Sequence, residues 1–135
     1  MPAKTPRLAM NSYISAMLDH DLEAAVALYE ADATLVIYPG MLAKGATAIR
    51  KFFEGLLSIK PDFHYEAKVF TETDDLALFV ARWTILGSIP PGLPVQRSNC
   101  HVAILRKQPD GNWLIAVDNP WGPDPPPKGE DPTIL

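Results

Sequence analysis

The sequence has few of the residues that form disulfides and metal centres. Its 135 residues include one cysteine, Cys100, and three histidines that lie far apart. A single cysteine excludes an internal disulfide, and these spacings match no metal-binding motif, so we expect neither a metal nor another cofactor. A buried, inert thiol is favoured for Cys100 over a nucleophile, because none of its neighbours in sequence would stabilise a thiolate.

The chain also lacks an excess of positive charge and a long apolar run. Its 12 lysines and arginines are outnumbered by 16 acidic residues, which argues against binding to nucleic acid. No run approaches the length of a membrane span and the amino terminus has no signal-peptide core, so we expect a cytoplasmic protein. With 47% hydrophobic residues, a chain of this length predicts one domain with its own core.

A predicted hairpin near the carboxyl terminus organises the rest of the chain. Two extended apolar runs, 96–107 and 113–119, are joined by Gln108-Pro109-Asp110-Gly111-Asn112. Proline, aspartate and glycine in this order are typical of a three-residue hairpin loop with a bulge at the glycine. If the two ends of this turn face each other, His101 lies directly opposite Asn119.

This register decides which polar groups share the interior, because side chains alternate between the two faces of a strand. It predicts that His101, Asn99 and Asn119 lie together at the polar end of an otherwise apolar face. It places Asp118 on the other face, where an ion pair with Arg82 or Arg106 is favoured over a role as catalytic base. A slip of one residue would exchange these positions.

The remaining pattern predicts helices first and strands afterwards, which is an α+β plan with a curved sheet around a long helix. Thr5-Pro6 is typical of a helix start. A second hairpin would place Trp83 opposite Asn99 and Ala81 opposite His101. The other predicted elements are a helix over Leu22–Glu30, a strand over Ala33–Tyr38, a helix over Ala46–Leu57, and strands over Phe63–Thr71 and Leu76–Gly87.

Several short motifs stand at intervals along the chain, namely Asp21-Leu22-Glu23-Ala24, Gly45 before Ala48-Ile49, Phe52-Phe53, Arg82-Trp83-Thr84 and Asp118-Asn119-Pro120. Together they resemble the NTF2-like superfamily, in its SnoaL-like and ketosteroid-isomerase-like branch. The resemblance spans roughly residues 5 to 122. It implies an NTF2-like cone in which three N-terminal helices pack on a curved, mixed antiparallel sheet, and usually a homodimer through the outer sheet face. We expect residues 1–123 to form this domain and 124–135 to form a proline-rich tail.

The resemblance also suggests roles for individual residues. Tyr13 matches the first-helix tyrosine that donates to the substrate's oxyanion in ketosteroid isomerases. The aspartate base of those enzymes precedes a proline at the end of the first strand, but here Tyr38 precedes Pro39, so that mechanism is not expected. In those enzymes an acidic residue on the penultimate strand partners the tyrosine, and His101 is its nearest equivalent here.

These observations support three functional hypotheses. The first is a cofactor-independent isomerase, cyclase or dehydratase acting on an apolar cyclic or carbonyl-bearing molecule. In it His101 moves a proton, Asn119 orients the ring, and Tyr13 stabilises charge on oxygen. The others are a non-catalytic dimeric ligand-binding protein, with His101 purely structural, and an accessory domain that binds a partner through its tail. The further residues predicted at the pocket are Trp83, Asn99, Tyr38, Phe53, Arg97, Trp121 and, if the register slips, Asp118.

Overall fold

A computed structural model of the chain describes residues 3–89, 93–122 and 133–134. In these ranges the helices are α1 (Pro6–Leu18), α2 (Leu22–Val26) and α3 (Ala46–Ser58), and the strands are β1 (Tyr29–Tyr38), β2 (Met41–Lys44), β3 (Asp62–Glu72), β4 (Leu76–Ile89), β5 (Leu93–Lys107), β6 (Trp113–Asn119) and β7 (Thr133–Ile134). Within the part described, every helix is too short or too polar to cross a membrane.

The helix starts follow from their capping residues. Thr5 accepts a hydrogen bond from the Leu8 amide at 3.1 Å and Pro6 occupies the first helical position, as the sequence predicts. Asp21 caps α2 in the same way. The predicted end of α2 is wrong, because β1 begins at Tyr29, where the chain pairs with β6 instead of continuing the helix.

Helix α3 packs against β1 and β2 of the sheet. Its boundaries agree with the prediction to within one residue. Ile49, Phe53 and Leu57 are buried in the core, while Phe52 and Leu56 are half-buried beside it. The side chains three and four residues apart therefore form the apolar stripe that the periodicity predicts.

The seven strands among the described residues form one mixed sheet in the order β3-β4-β5-β6-β1-β2-β7. Most neighbours are antiparallel, but β1 lies parallel to β6, and β7 lies parallel to β2. Strand β2 was not predicted, because Pro39-Gly40 suggested only a turn. Thr133–Ile134 of the predicted tail form β7, and residues 124–132 of that tail lie outside the described residues.

The two predicted hairpin registers had different outcomes. Between β4 and β5 the prediction is confirmed, since Ala81 pairs with His101. Between β5 and β6 it holds at the turn, where Leu105 pairs with Ile115, but the next pair is Ile104 with Val117. One residue of β6, Ala116, is therefore extra, which is a β-bulge.

The bulge reverses the alternation of β6 beyond it. Ile115 and Ala116 are both buried, Val117 is 40% exposed, and Asp118 is completely buried. The predicted pairing of His101 with Asn119 is wrong, because Asn119 pairs with Val102. Asp118 takes the interior position instead, as a slip of one residue requires.

Two glycines give opposite expectations for stability. Gly122 has φ of +62°, and a Cβ there would overlap the carbonyl oxygen of Cys100, whereas a Cβ on Gly55 in α3 would meet nothing within 4 Å. We expect Gly122→Ala to lower the free energy of unfolding by about 1–3 kcal/mol through strain and overpacking. Gly55→Ala should raise it by about 0.5–1 kcal/mol. Urea unfolding followed by tryptophan fluorescence measures both, and equal stability of the two variants would contradict both expectations.

Candidate functional site

A histidine and an aspartate lie together in the interior of the cone. His101 on β5 and Asp118 on β6 are the polar residues that are completely buried in the part of the chain whose side chains are described. The Asp118 Oδ1 atom is hydrogen-bonded to Nε2 of His101. Burying a charged group is costly unless it is paired and hydrogen-bonded, so this pair must be satisfied by its surroundings.

Tyrosines from three further elements complete the cluster. Tyr29 on β1 donates its hydroxyl to Oδ2 of Asp118. The Tyr65 hydroxyl on β3 lies 3.2 Å from Nδ1 of His101. Tyr13 on α1 packs edge-on against the imidazole, with ring centroids 5.7 Å apart. The polar atoms of the His101–Asp118 pair are thus enclosed by aromatic side chains from both the helical layer and the sheet.

The tyrosine hydroxyls act as donors. Burial raises the pKa of Tyr13, Tyr29 and Tyr65, and the negative charge of Asp118 raises each pKa further. All three therefore stay protonated at neutral pH. A carboxylate only accepts hydrogen bonds, so an N–H on Nε2 of His101 is the donor that satisfies Oδ1 of Asp118.

The contact between Tyr65 and His101 can then exist in two forms. When the imidazole is neutral, Nδ1 accepts from the Tyr65 hydroxyl. When the imidazole is charged, Nδ1 donates to the Tyr65 oxygen, and the hydroxyl proton of Tyr65 is free to point to another acceptor. The arrangement can therefore pass a proton between His101 and Tyr65, with Asp118 balancing the charge.

An apolar cavity of about 380 Å³ adjoins this cluster, between the helices and the sheet. Tyr13 and Tyr65 belong both to the cavity wall and to the polar cluster, but His101 and Asp118 are not among the residues that border the cavity. A molecule in the cavity would meet the tyrosines, and it would interact with His101 only through them. The other bordering residues are Met17, Leu35, Val36, Ile37, Tyr38, Phe52, Phe53, Leu56, Phe63, Trp83, Ile85, Pro120 and Trp121.

The residues selected from the sequence fall into different places. Those that border the cavity are Tyr13, Trp83, Tyr38, Phe53 and Trp121. Asn99 is half-buried on β5 and pairs with Trp83 on β4. The side chain of Arg97 lies outside the described residues, although its backbone pairs with Ile85.

Two predicted roles need correction. Asn119 does not orient the imidazole, because its amide Nδ2 donates to the Gly122 carbonyl oxygen at 2.8 Å. Asp118 does not form the predicted ion pair with an arginine on the outer face, since the bulge turns it inward to His101. The expected partners bind elsewhere, as Arg106 pairs with Glu30 at 3.0 Å.

Sequence reasoning missed two members of the cluster. Tyr65 pairs with Trp83 across β3 and β4, so alternation along β3 combined with the confirmed β4 register could have placed it on the interior face. Tyr29 was assigned to the second helix, where its position suggests only core packing. Its contact with Asp118 depends on the parallel pairing of β1 with β6, for which the sequence carries no local signal.

Removal of the Tyr29 hydroxyl tests whether the buried carboxylate depends on its donors. We expect Tyr29→Phe to lower the free energy of unfolding by about 1.5–3 kcal/mol, because a buried acceptor with a charge loses one hydrogen bond. Tyr38→Phe is the matched control, since Tyr38 is 49% exposed and should change stability by less than about 0.5 kcal/mol. Chemical denaturation of both variants gives the comparison. If Tyr29→Phe leaves the free energy of unfolding unchanged, Asp118 is satisfied without this donor.

Comparison with known proteins gives a family and a fold. The sequence model of the SnoaL-like domain family matches residues 10–114 of this chain. A ketosteroid isomerase-like protein from Erwinia carotovora atroseptica aligns with a TM-score of 0.68 at 17% identity, covering 84% of this chain and 89% of that chain. An NTF2-like protein with a cystatin-like fold from Novosphingobium aromaticivorans aligns with a TM-score of 0.68 at 18% identity, covering 84% and 76%.

A third solved structure, a proposed dehydratase of the NTF2-like family from Streptomyces avermitilis, has a TM-score of 0.69 at 21% identity, covering 84% of this chain and 90% of that chain. Among curated proteins, none matches the sequence. At these identities the likeness shows the fold alone. It confirms the predicted α+β cone of the NTF2-like type.

Proposed function

Because the chain belongs to the SnoaL-like domain family, which includes isomerases and dehydratases, we propose that it binds a small apolar, carbonyl-bearing molecule and donates a proton to the carbonyl oxygen. The observation that carries this proposal is the position of Tyr65. This residue borders an apolar cavity and hydrogen-bonds the buried His101–Asp118 pair behind it.

The cavity supports a ligand of limited size and no charge. A cavity of about 150 Å³ is enough for benzene, so 380 Å³ suits a molecule of two or three rings. Apart from three tyrosine hydroxyls, two indole nitrogens and the thioether of Met17, the bordering side chains are aliphatic or aromatic hydrocarbon. A carbonyl oxygen is a ligand group that accepts from a tyrosine hydroxyl without adding charge.

The chemistry follows from the two forms of the Tyr65 contact. With a charged imidazole, Tyr65 donates its hydroxyl proton to the carbonyl oxygen, and Nδ1 of His101 returns a proton to the Tyr65 oxygen. Asp118 stays hydrogen-bonded to Nε2 throughout. Proton donation to oxygen is a first step shared by isomerisation, cyclisation and dehydration of carbonyl compounds, and here it uses only groups of this chain.

A non-catalytic binding protein is the second candidate, and the composition of the cavity wall favours it. The described residues that border the cavity include no aspartate, glutamate, histidine or lysine, so no strong base touches the space where a C–H bond would lie. The strand-end position of the ketosteroid isomerase base holds Tyr38 here. Such a protein would bind the same molecules and release them unchanged.

A pair of isosteric ligands tests the hydrogen bond. We expect 2-acetylnaphthalene to bind about tenfold more tightly than 2-isopropenylnaphthalene, which has the same shape without the oxygen, because one hydrogen bond contributes about 1.4 kcal/mol. Tyr65→Phe should remove this preference and leave the affinity for the hydrocarbon unchanged. Fluorescence titration measures both affinities. Tyr38→Phe is the control that should retain the preference, and a tenfold preference that survives in Tyr65→Phe would refute the assignment.

Hydrogen exchange separates the enzyme from the binding protein. If the proton relay operates, donation to the carbonyl oxygen lets a solvent water molecule take up an acetyl proton, so in D2O the native protein accelerates exchange of the acetyl protons of 2-acetylnaphthalene for deuterium. His101→Gln does not, and proton NMR can follow both reactions. Binding that discriminates the isosteres without exchange would indicate the non-catalytic candidate.

The outer sheet face supports a homodimer. Leu78, Ile104 and Val117 form one row across β4, β5 and β6, since Ile104 pairs with both of the others. They are 41%, 39% and 40% exposed, so the row presents a continuous apolar strip to solvent. Exposed apolar patches of this kind mark interaction sites, and a second copy of the chain offers the same strip.

A charge placed in this strip should prevent dimer formation. We expect the native chain to sediment as a dimer and Ile104→Lys to sediment as a monomer, because a lysine would be buried without a partner. Leu18→Lys is the control, since Leu18 is 51% exposed on α1, away from the sheet, and should leave the dimer intact. A monomeric native chain, or a dimeric Ile104→Lys variant, would exclude this interface.

A further inference from the structure

The turn that follows β6 is tied down from two sides. The Asn119 side chain closes it, because Nδ2 donates to the Gly122 carbonyl and Oδ1 accepts from the Trp121 amide at 3.1 Å. From β4, the indole N–H of Trp83 donates to the Pro120 carbonyl oxygen at 2.5 Å. The backbone of the turn is therefore fixed relative to the cavity wall.

The ring of Trp121 lies between two walls of the cavity. It contacts Tyr38 edge-on, with centroids 5.9 Å apart, and Trp83 in the same manner at 6.2 Å. Tyr38 ends β1 and Trp83 lies on β4, and these strands are separated in the sheet by β5 and β6. Trp121 thus bridges side chains from distant strands.

Exposure shows which end of the cavity this bridge occupies. Tyr38 borders the cavity and is 49% exposed, whereas Tyr13 at the polar cluster is 2% exposed. The cavity therefore reaches solvent near Tyr38. Trp121, itself half-buried, stands at this mouth.

We propose that Trp121 closes the mouth of the cavity and sets the upper size of its ligand, and that Asn119 is a positioning residue that holds Trp121 there. The inference rests on the ligand-binding part of the proposed function. It gives Asn119 a role that differs from the one predicted from the sequence. Asn119 does not border the cavity, so it acts on ligand selection only through the turn.

Two ketones of different size test the proposal. We expect Trp121→Ala to bind 1-acetylpyrene, which has four fused rings, at least tenfold more tightly than the native protein does. Its affinity for 2-acetylnaphthalene should change less than its affinity for the larger ketone, so the ratio of the two affinities shifts toward 1-acetylpyrene. Trp121→Leu, which keeps an apolar side chain at the mouth, should give an intermediate result and guards against a folding defect. Fluorescence titration of each variant, after its unfolding midpoint is measured, provides the affinities.

A double-mutant comparison with Trp121 tests the positioning role of Asn119. Asn119→Ala should shift the ratio of the two affinities in the same direction as Trp121→Ala, and the double variant should show no further shift, because both changes act on one side chain. Asn119→Asp keeps the acceptor for the Trp121 amide but loses the donor to the Gly122 carbonyl, so it should give an intermediate ratio. Independent, additive effects would overturn the positioning role.

The outcomes separate this proposal from the hydrogen bond proposed for Tyr65. An unchanged affinity ratio in Trp121→Ala overturns the size limit even if the isosteric naphthalenes are still discriminated. Conversely, a shifted ratio supports the size limit even if the carbonyl and hydrocarbon isosteres bind equally. Failure of both ketones to bind any variant overturns the size limit together with the pocket.

Discussion

The hydrogen bond between His101 and Asp118 is the interaction on which the interior of this protein depends. Both groups are completely buried, and neither can be left without the other at low cost, since breaking a buried pair costs about 3–5 kcal/mol. The bulge at Ala116 is the backbone feature that makes the pair possible, because without it Asp118 would face outward. The extra residue in β6 thus decides that Asp118 lies in the core.

The cluster around this pair contains side chains that border the cavity and side chains that do not. Tyr13 and Tyr65 form the boundary, while Tyr29 supports the carboxylate from the far side. A buried polar network of this kind is stable only when each member has its partner, and here each hydroxyl is held protonated by its burial. The groups of this cluster that border the cavity are therefore hydrogen-bond donors rather than bases.

Much of the fold could be predicted from the sequence, because its signals are local. The Thr5-Pro6 cap, the periodicity of α3 and the turn from Gln108 to Asn112 each act over a few residues, and the structure agrees with them. The site was predicted less well, because it depends on which side chains of β6 point into the interior. A bulge between two apolar residues leaves no mark in composition, and Ala116 could occupy either face. The interior face of His101 was predicted correctly because its register with β4 is continuous, although His101 lies behind the tyrosines and does not border the cavity as expected. Asn119 was misplaced because it lies beyond the irregularity.

The parallel contact of β1 with β6 has a consequence for how the chain matures during synthesis. Tyr29 and Asp118 are 89 positions apart, yet they share one hydrogen bond in the centre of the molecule. A nascent chain that has released its helices from the ribosome still lacks the strand that receives Tyr29, so closure of this long loop comes late and contributes to slow folding. Until then the first strand presents an open edge, which makes the interval before β6 emerges the period of greatest exposure to aggregation.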